Sequence, residues 1–287
     1  MTNPTGNIST AQRVLYTLAG VFVLFGVFVL ITGGWTFEIF RQPASLTRAN
    51  HPFSWALYLI LAGVIFTDGR LGFSRLVDRV AELRPRKVFL YLMIIIALLE
   101  IAHFAFGLKS KLWHLDSQVD FGTYYHCILL FFTGTVLLKM MDAERERGIR
   151  KTWGWIPVMI VFFGISIDEL ISFHNGIPGH LKDLGILPRD ADFGVPKWPI
   201  LLAPLALAVV IYFFAFLWKR LKKHPPLNKL LVAAIVIWVL AYASELLLAT
   251  GMNHLLQVGL EEGLEKLGSS MFLVIFLDYY RRELRPQ

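Results

Sequence analysis

The chain reads as a succession of long apolar runs separated by short polar connections. A helix needs about 20 mainly apolar residues to cross a bilayer, with roughly 17–25 as the working range. Eight segments meet or approach that length: about 12–33, 52–68, 88–108, 120–140, 153–174, 198–218, 228–250 and 262–280. The second and eighth are the weakest, since Pro52–Thr67 is uncharged for only 16 residues and Leu267–Leu277 for 11. The pattern predicts an all-α fold, a polytopic integral membrane bundle of eight transmembrane helices filling residues 1–287 as one domain. The first run follows a single positive charge, Arg13, and lacks a small-residue cleavage site, so it reads as a retained helix. Between the apolar runs the longest connection, 174–197, holds Gly176, Pro178 and Gly179, which mark turns and not a ninth helix.

Composition agrees. Of 287 residues, 56% are hydrophobic and 17% charged, with mean hydropathy +0.58, whereas soluble domains run near 45–50% and about 25%. A net charge of +7 would point a soluble chain toward nucleic acid. Here the positive residues sit in short connections, so the expectation is no nucleic-acid partner and a lipid bilayer instead. From the N-terminus, the segments outside the apolar centres carry 1, 2, 6, 2, 5, 3, 5, 1 and 3 Lys or Arg. That strict alternation places both termini on the cytoplasmic side of a cell membrane, the inner one in a Gram-negative cell. Tryptophans follow the same frame: Trp35, Trp55, Trp113 and Trp198 fall at outer ends, Trp153, Trp155 and Trp218 at inner ends, and Trp238 alone is mid-helix. The single cysteine, Cys127, excludes an internal disulfide.

Sorting ionisable residues by depth collects them in one layer. Glu100 and His103 fall in the outer half of the third span, and His126 near the outer end of the fourth beside Tyr124 and Tyr125. Asp168, Glu169 and His174 end the fifth span, Glu245 lies in the outer part of the seventh, and Glu261, Glu262 and Glu265 open the eighth. Charges at membrane depth are costly and mark functional sites by default. Glu100 and His103, like Glu262 and Glu265, are three apart and share a face. Asp168 and Glu169 diverge by about 100° on a helix and cannot both aim at one point; the one turned away has Ser172, a neighbouring helix or the outer vestibule as partner.

Apart from Lys266, no Lys or Arg falls in these outer halves, so metal or protons are the economical neutralisers. The Glu-x-x-His pair at 100–103 is one copy of a motif that di-iron bundles use twice. A mixed Asp/Glu/His set also suits zinc with an open water position. The expected divalent metal, zinc or iron, has Glu100, His103, His126, Asp168, Glu169, His174 and Glu262 as candidate ligands. Glu245 and Glu265 are candidate catalytic carboxylates, as further ligand or general base. Blander roles stand beside these: His126 as a hydrogen-bonded interfacial residue, Glu261 and Glu262 at a helix N-terminus, Glu245 as interhelical glue, and Asp278 as a surface charge beside Arg281 and Arg282.

Ser-Ile-Asp-Glu-Leu-Ile-Ser-Phe-His at 166–174, with Glu-Glu-Gly-Leu-Glu-Lys-Leu-Gly at 261–268, resembles a group of uncharacterised bacterial multipass proteins. Those carry Ser-x-Asp-Glu…His-Glu and a later Glu-Glu-x-x-Glu-x-x-Gly; Asn175 stands where the group often has Glu. The group has no established function, so the resemblance implies a site without naming a reaction. Alkaline ceramidases also set His and Asp ligands in a helical bundle, but their late His-x-x-x-His pair is absent here. The leading expectation is a metal-binding membrane protein, as a hydrolase or di-metal oxidoreductase acting on a lipid or other apolar small molecule. The alternatives are a proton- or cation-coupled transporter and a non-catalytic subunit or sensor.

Overall fold

The computed structural model describes residues 10–32, 35–39, 42–46, 50–65, 69–107, 115, 120–149, 151–171, 173–188, 197–245 and 253–285. The chain divides into two compact units, Met1–Asp78 and Arg79–Gln287. In the first, α1 (Thr10–Thr32) is followed by an antiparallel hairpin of β1 (Trp35–Ile39) and β2 (Gln42–Leu46), then α2 (Asn50–Ile65). A side chain at Gly63 would sit 2.8 Å from the Tyr16 ring. Its absence lets α1 and α2 close on each other. Next comes α3 (Gly69–Glu82), with Val77 and Ala81 buried while Arg75, Arg79 and Glu82 face out.

The second unit contains α4 (Pro85–Phe106), α5 (Phe121–Glu146), α6 (Trp155–Ile171), α7 (Phe173–Asp183), α8 (Lys197–Leu221), α9 (Pro225–Ser244) and α10 (His254–Tyr279). Each of the eight predicted apolar segments overlaps a helix among the described residues. Five of these, α4, α5, α6 with the turn before it, α8 and α9, are long and apolar enough to cross a membrane, which marks a membrane protein. Their outward faces agree, since Leu90, Ile94, Leu98 and Ile101 form an exposed stripe along α4. Such a stripe is a liability in water and at home in hydrocarbon.

Three connections depart from expectation. Residues 35–39 and 42–46 form the paired strands, 69–82 form α3, and 173–183 form α7 in place of a turn-rich loop. Pro178 lies within α7, where its ring removes a backbone donor. The helix starts all the same, because the Asp168 carboxylate accepts the backbone N–H of His174 at 3.0 Å and satisfies one first-turn donor. Pro178 itself is buried.

The centre of this unit is α10, which packs on α4, α5 and α9. Lys266 and every residue from Gly268 to Tyr280 are buried, so this half of the helix touches protein on all sides. It begins at His254, two turns before the predicted start at 262. Glu261, Glu262 and Glu265 therefore lie inside a helix, and the expected placement of Glu261 and Glu262 at a helix N-terminus does not hold.

One end of the unit is closed by aromatic rings and a buried ion pair. Phe162 of α6 stacks with Phe213 at 6.0 Å, and its ring meets Phe272 and Phe276 of α10 edge-on at 5.6 and 5.8 Å. Beyond them Glu144, fully buried, accepts from Trp155 Nε1 and from Arg220, each at 2.9 Å. Helices α5, α6 and α8 are tied there without an orphaned charge. Asp278, expected at the surface, pairs with Arg281 and Arg282 as anticipated, but its side chain is only 7% exposed.

Candidate metal centre in an amphipathic cavity

Between α6 and α8 the second unit holds a cavity of about 1150 Å³. Its walls are of two kinds. Ile160, Gly164 and Ile165 of α6, with Leu202, Leu205 and Val209 of α8, make an apolar gutter. At the end nearest α7 the lining changes to Asp168, Glu169, Glu245, Glu261, Glu262 and Glu265. Ile160, Leu205 and Leu207 are both cavity lining and outwardly exposed, at 60–62%, so the gutter opens sideways between α6 and α8.

His126 of α5 is the hub of the acidic end. Its Nδ1 is 3.0 Å from Glu169 Oε1 and 3.8 Å from Glu265 Oε2, the second contact beyond hydrogen-bond range. The first is close but lacks hydrogen-bond alignment, leaving Nδ1 buried without a proper donor–acceptor partner. The other ring nitrogen, Nε2, meets Ser269 Oγ at 2.9 Å, and Ser269 also accepts from Trp238 Nε1 at 3.2 Å. When Nε2–H donates to Ser269, the Nδ1 lone pair faces two carboxylates, an arrangement that repels unless a proton or a cation lies between. The three ligand atoms of His126, Glu169 and Glu265 lie within 4.8 Å of one another. Two ligands each about 2.1 Å from a zinc ion are at most about 4.2 Å apart. Two of the observed separations already satisfy this.

The remaining candidates find other partners. Asp168 pairs with His174 through Nδ1 and the backbone N–H, so it caps α7 and holds that imidazole, whose ring lies 4.5 Å from Trp198. The two adjacent acids thus diverge as the helical geometry requires, with Glu169 toward His126 and Asp168 toward α7. Ser172 lies outside the described residues. Burial opposes charge on His174, but the Asp168 hydrogen bond and carboxylate outweigh it and raise its pKa above 6.5.

Glu262 forms a tight ion pair with Lys266, four residues on and fully buried. Lys266, which the charge count had assigned to a connection, is a counter-ion within the bundle. It neutralises one carboxylate and leaves the others. Glu245 stands at the end of α9 beside Glu261. Glu100 packs against α10 at Gly259 and Gly263, 3.2 Å from where a Gly263 Cβ would be, and does not line the cavity. His103 is engaged on both sides: Leu115 N–H donates to Nδ1 at 3.2 Å, and Nε2–H donates to the Leu255 carbonyl at 3.1 Å. No ring lone pair is left for a metal. The Glu-x-x-His pair faces α10 and joins it to α4.

Sequence reasoning missed Ser269, Gln257 and the role of Trp238. A signal existed for each. Ser269 and Ser270 are hydroxyls amid an uncharged run, and Trp238 is the one tryptophan away from a predicted interface.

Neither the curated proteins nor the solved structures give a match to this chain. A family model does, over residues 118–279, from just before α5 to the last residue of α10, taking in every cavity-lining residue except Leu115, with His126, Glu169 and Glu265 among them. The protein belongs to this family, described as a domain of unknown function, DUF8692.

Proposed function

We propose that this protein is an eight-span membrane protein, with both termini cytoplasmic, that binds a divalent cation through His126, Glu169 and Glu265. The metal serves chemistry on a lipid or other apolar substrate held in the cavity. The observation that carries this reading is the buried Nδ1 of His126, which lacks an aligned hydrogen bond and is aimed at two carboxylates. Three protein ligands of this kind with an adjoining cavity leave room for a metal-activated water, so a zinc or iron hydrolase is the favoured class. Ser269 supports the ring from behind, as partners of metal-bound histidines do.

The line Ser269–His126–Glu169 also has the order of a nucleophile, base and orienting acid. Ser269 is fully buried, receives Trp238 and does not line the cavity, so no substrate reaches its hydroxyl. Support for the ring is the better role. A transport pathway finds little support, because the helices around Phe162 are closed on one another by its contacts with Phe213, Phe272 and Phe276, none of which lines the cavity.

Metal analysis of the purified protein tests the proposal. One bound zinc or iron per chain is expected, lost in Glu169→Gln and His126→Ala. Ser269→Ala retains binding at about 10–100-fold lower affinity. An unmutated protein that binds no divalent metal after zinc or iron loading sinks it.

A further inference from the structure

The acidic end of the cavity holds more carboxylate than one metal uses. Besides Glu169 and Glu265, it presents Asp168, Glu245, Glu261 and Glu262. Asp168 is matched by His174 and Glu262 by Lys266. Neither Glu245 nor Glu261 forms one of the described ion pairs, although the His174 imidazole lies within electrostatic reach of Glu245, and two neighbouring carboxylates repel unless a proton or cation lies between them. No Lys or Arg lines the cavity among the described residues.

A second observation comes from Gln257, one turn before Glu261 on α10. It lines the cavity, is 1% exposed and donates its Nε2–H to Glu261. Its Oε1 is buried with no hydrogen-bond partner among the described residues. An acceptor left empty at such a place costs about 1–3 kcal/mol and calls for a donor that the described residues do not supply. Gln257 Oε1, Glu245 and Glu261 offer oxygen acceptors alone. A protonated primary amine, with three N–H donors and one positive charge, complements that set.

The apolar gutter specifies the rest of the ligand. From Leu202 to Val210 the lining follows α8 for about 12 Å at 1.5 Å per residue. It is continuous with the outward opening between α6 and α8. From these features we infer that the cavity takes a cationic amphiphile, a long-chain primary amine. Its tail enters sideways along the α6–α8 gutter and its ammonium docks on Gln257, Glu245 and Glu261. Anionic and zwitterionic phosphate headgroups are disfavoured by the uncompensated carboxylates. The inference rests on the membrane cavity of the proposed function, but not on its metal.

The test uses the full-length protein in phosphatidylcholine nanodiscs. Saturable quenching of tryptophan fluorescence is followed with long-chain probes brominated on the tail, since Trp198 and Trp238 line the cavity. The amine is expected to bind at least about tenfold more tightly than the alcohol of the same chain, about 1.4 kcal/mol, with the carboxylate weaker still. Gln257→Leu with Glu261→Gln brings the amine down to the alcohol. Gly164→Leu, whose added atoms enter open cavity space, weakens both probes alike. Equal binding of amine and alcohol by the unmutated protein overturns the inference, as does amine preference that survives the double replacement. If the double variant does not fold, the ratio in the unmutated protein decides. Repeating the titration after chelation separates the two proposals. Amine preference without metal upholds this inference alone, and stoichiometric metal without amine preference upholds only the metal site.

Discussion

His126 and His174 carry opposite lessons about a histidine near carboxylates. His174 has one carboxylate, Asp168, and forms a conventional pair with it. His126 has two carboxylates on one nitrogen and a hydroxyl on the other, so pairing cannot satisfy all its neighbours without a cation or added proton. The Asp168–His174 pair titrates within reach of experiment. Because the folded pKa of His174 is raised, its contribution to stability is complete below 6.5 and is lost as pH rises through the folded value. Nuclear magnetic resonance of His174 is expected to give a midpoint above 6.5, falling in Asp168→Asn as the opposing effect of burial gains weight. A midpoint unmoved by that replacement counts against the pairing. These partnerships are hard to read from sequence. Spacing told that Asp168 and Glu169 diverge, but which one faces the cluster depends on where α5 and α7 lie.

At the scale of elements, glycines set the contact between helices. An added Cβ at Gly268 of α10 would come within 2.3 Å of the Trp238 ring, whereas at Gly164 of α6 it meets nothing within 4 Å. Gly268→Ala must therefore displace Trp238, which supports Ser269 and packs on Phe272 at 4.8 Å. A loss of about 1–3 kcal/mol is expected from such overpacking. Gly164→Ala, in the middle of a helix with free space beside it, gains about 0.5–1 kcal/mol from reduced chain entropy. Thermal unfolding of the two variants in detergent reads the difference in sign. The same scale explains the misplaced start of α10. Its first turns are polar because they line a cavity, and hydropathy recorded that polarity as the end of a span. The turn residues of α7 misled likewise, since Asp168 and the buried Pro178 override local preference.

For the whole molecule, the eight-span reading places Gly148 and Lys223 on the cytoplasmic side, and Leu184 and Asn253 on the outer side. All four are exposed. The native Cys127 is fully buried, so single cysteines at these positions in a Cys127→Ser background report sidedness cleanly. Impermeant thiol reagents added to intact cells are expected to label positions 184 and 253, and to reach 148 and 223 only after permeabilisation. Labelling of 148 from outside reverses the orientation.

The sequence by itself determined which segments are helical and apolar, because twenty-residue hydrophobic runs have few other solutions in a bilayer. It also determined the layer of carboxylate and imidazole, since burying a charge in a membrane is rarely accidental. Tertiary structure decided which of those residues meet. Glu100 and His103 share a helix face, as spacing required, yet that face is turned to α10 and away from the cavity. Lys266 and Ser269 lie one turn after Glu262 and Glu265, respectively, and gain their roles only through burial of α10 at the centre of the bundle. Periodicity fixes neighbours along one helix. Neighbours between helices depend on rotation and crossing, which arise from packing of the whole and leave no local pattern.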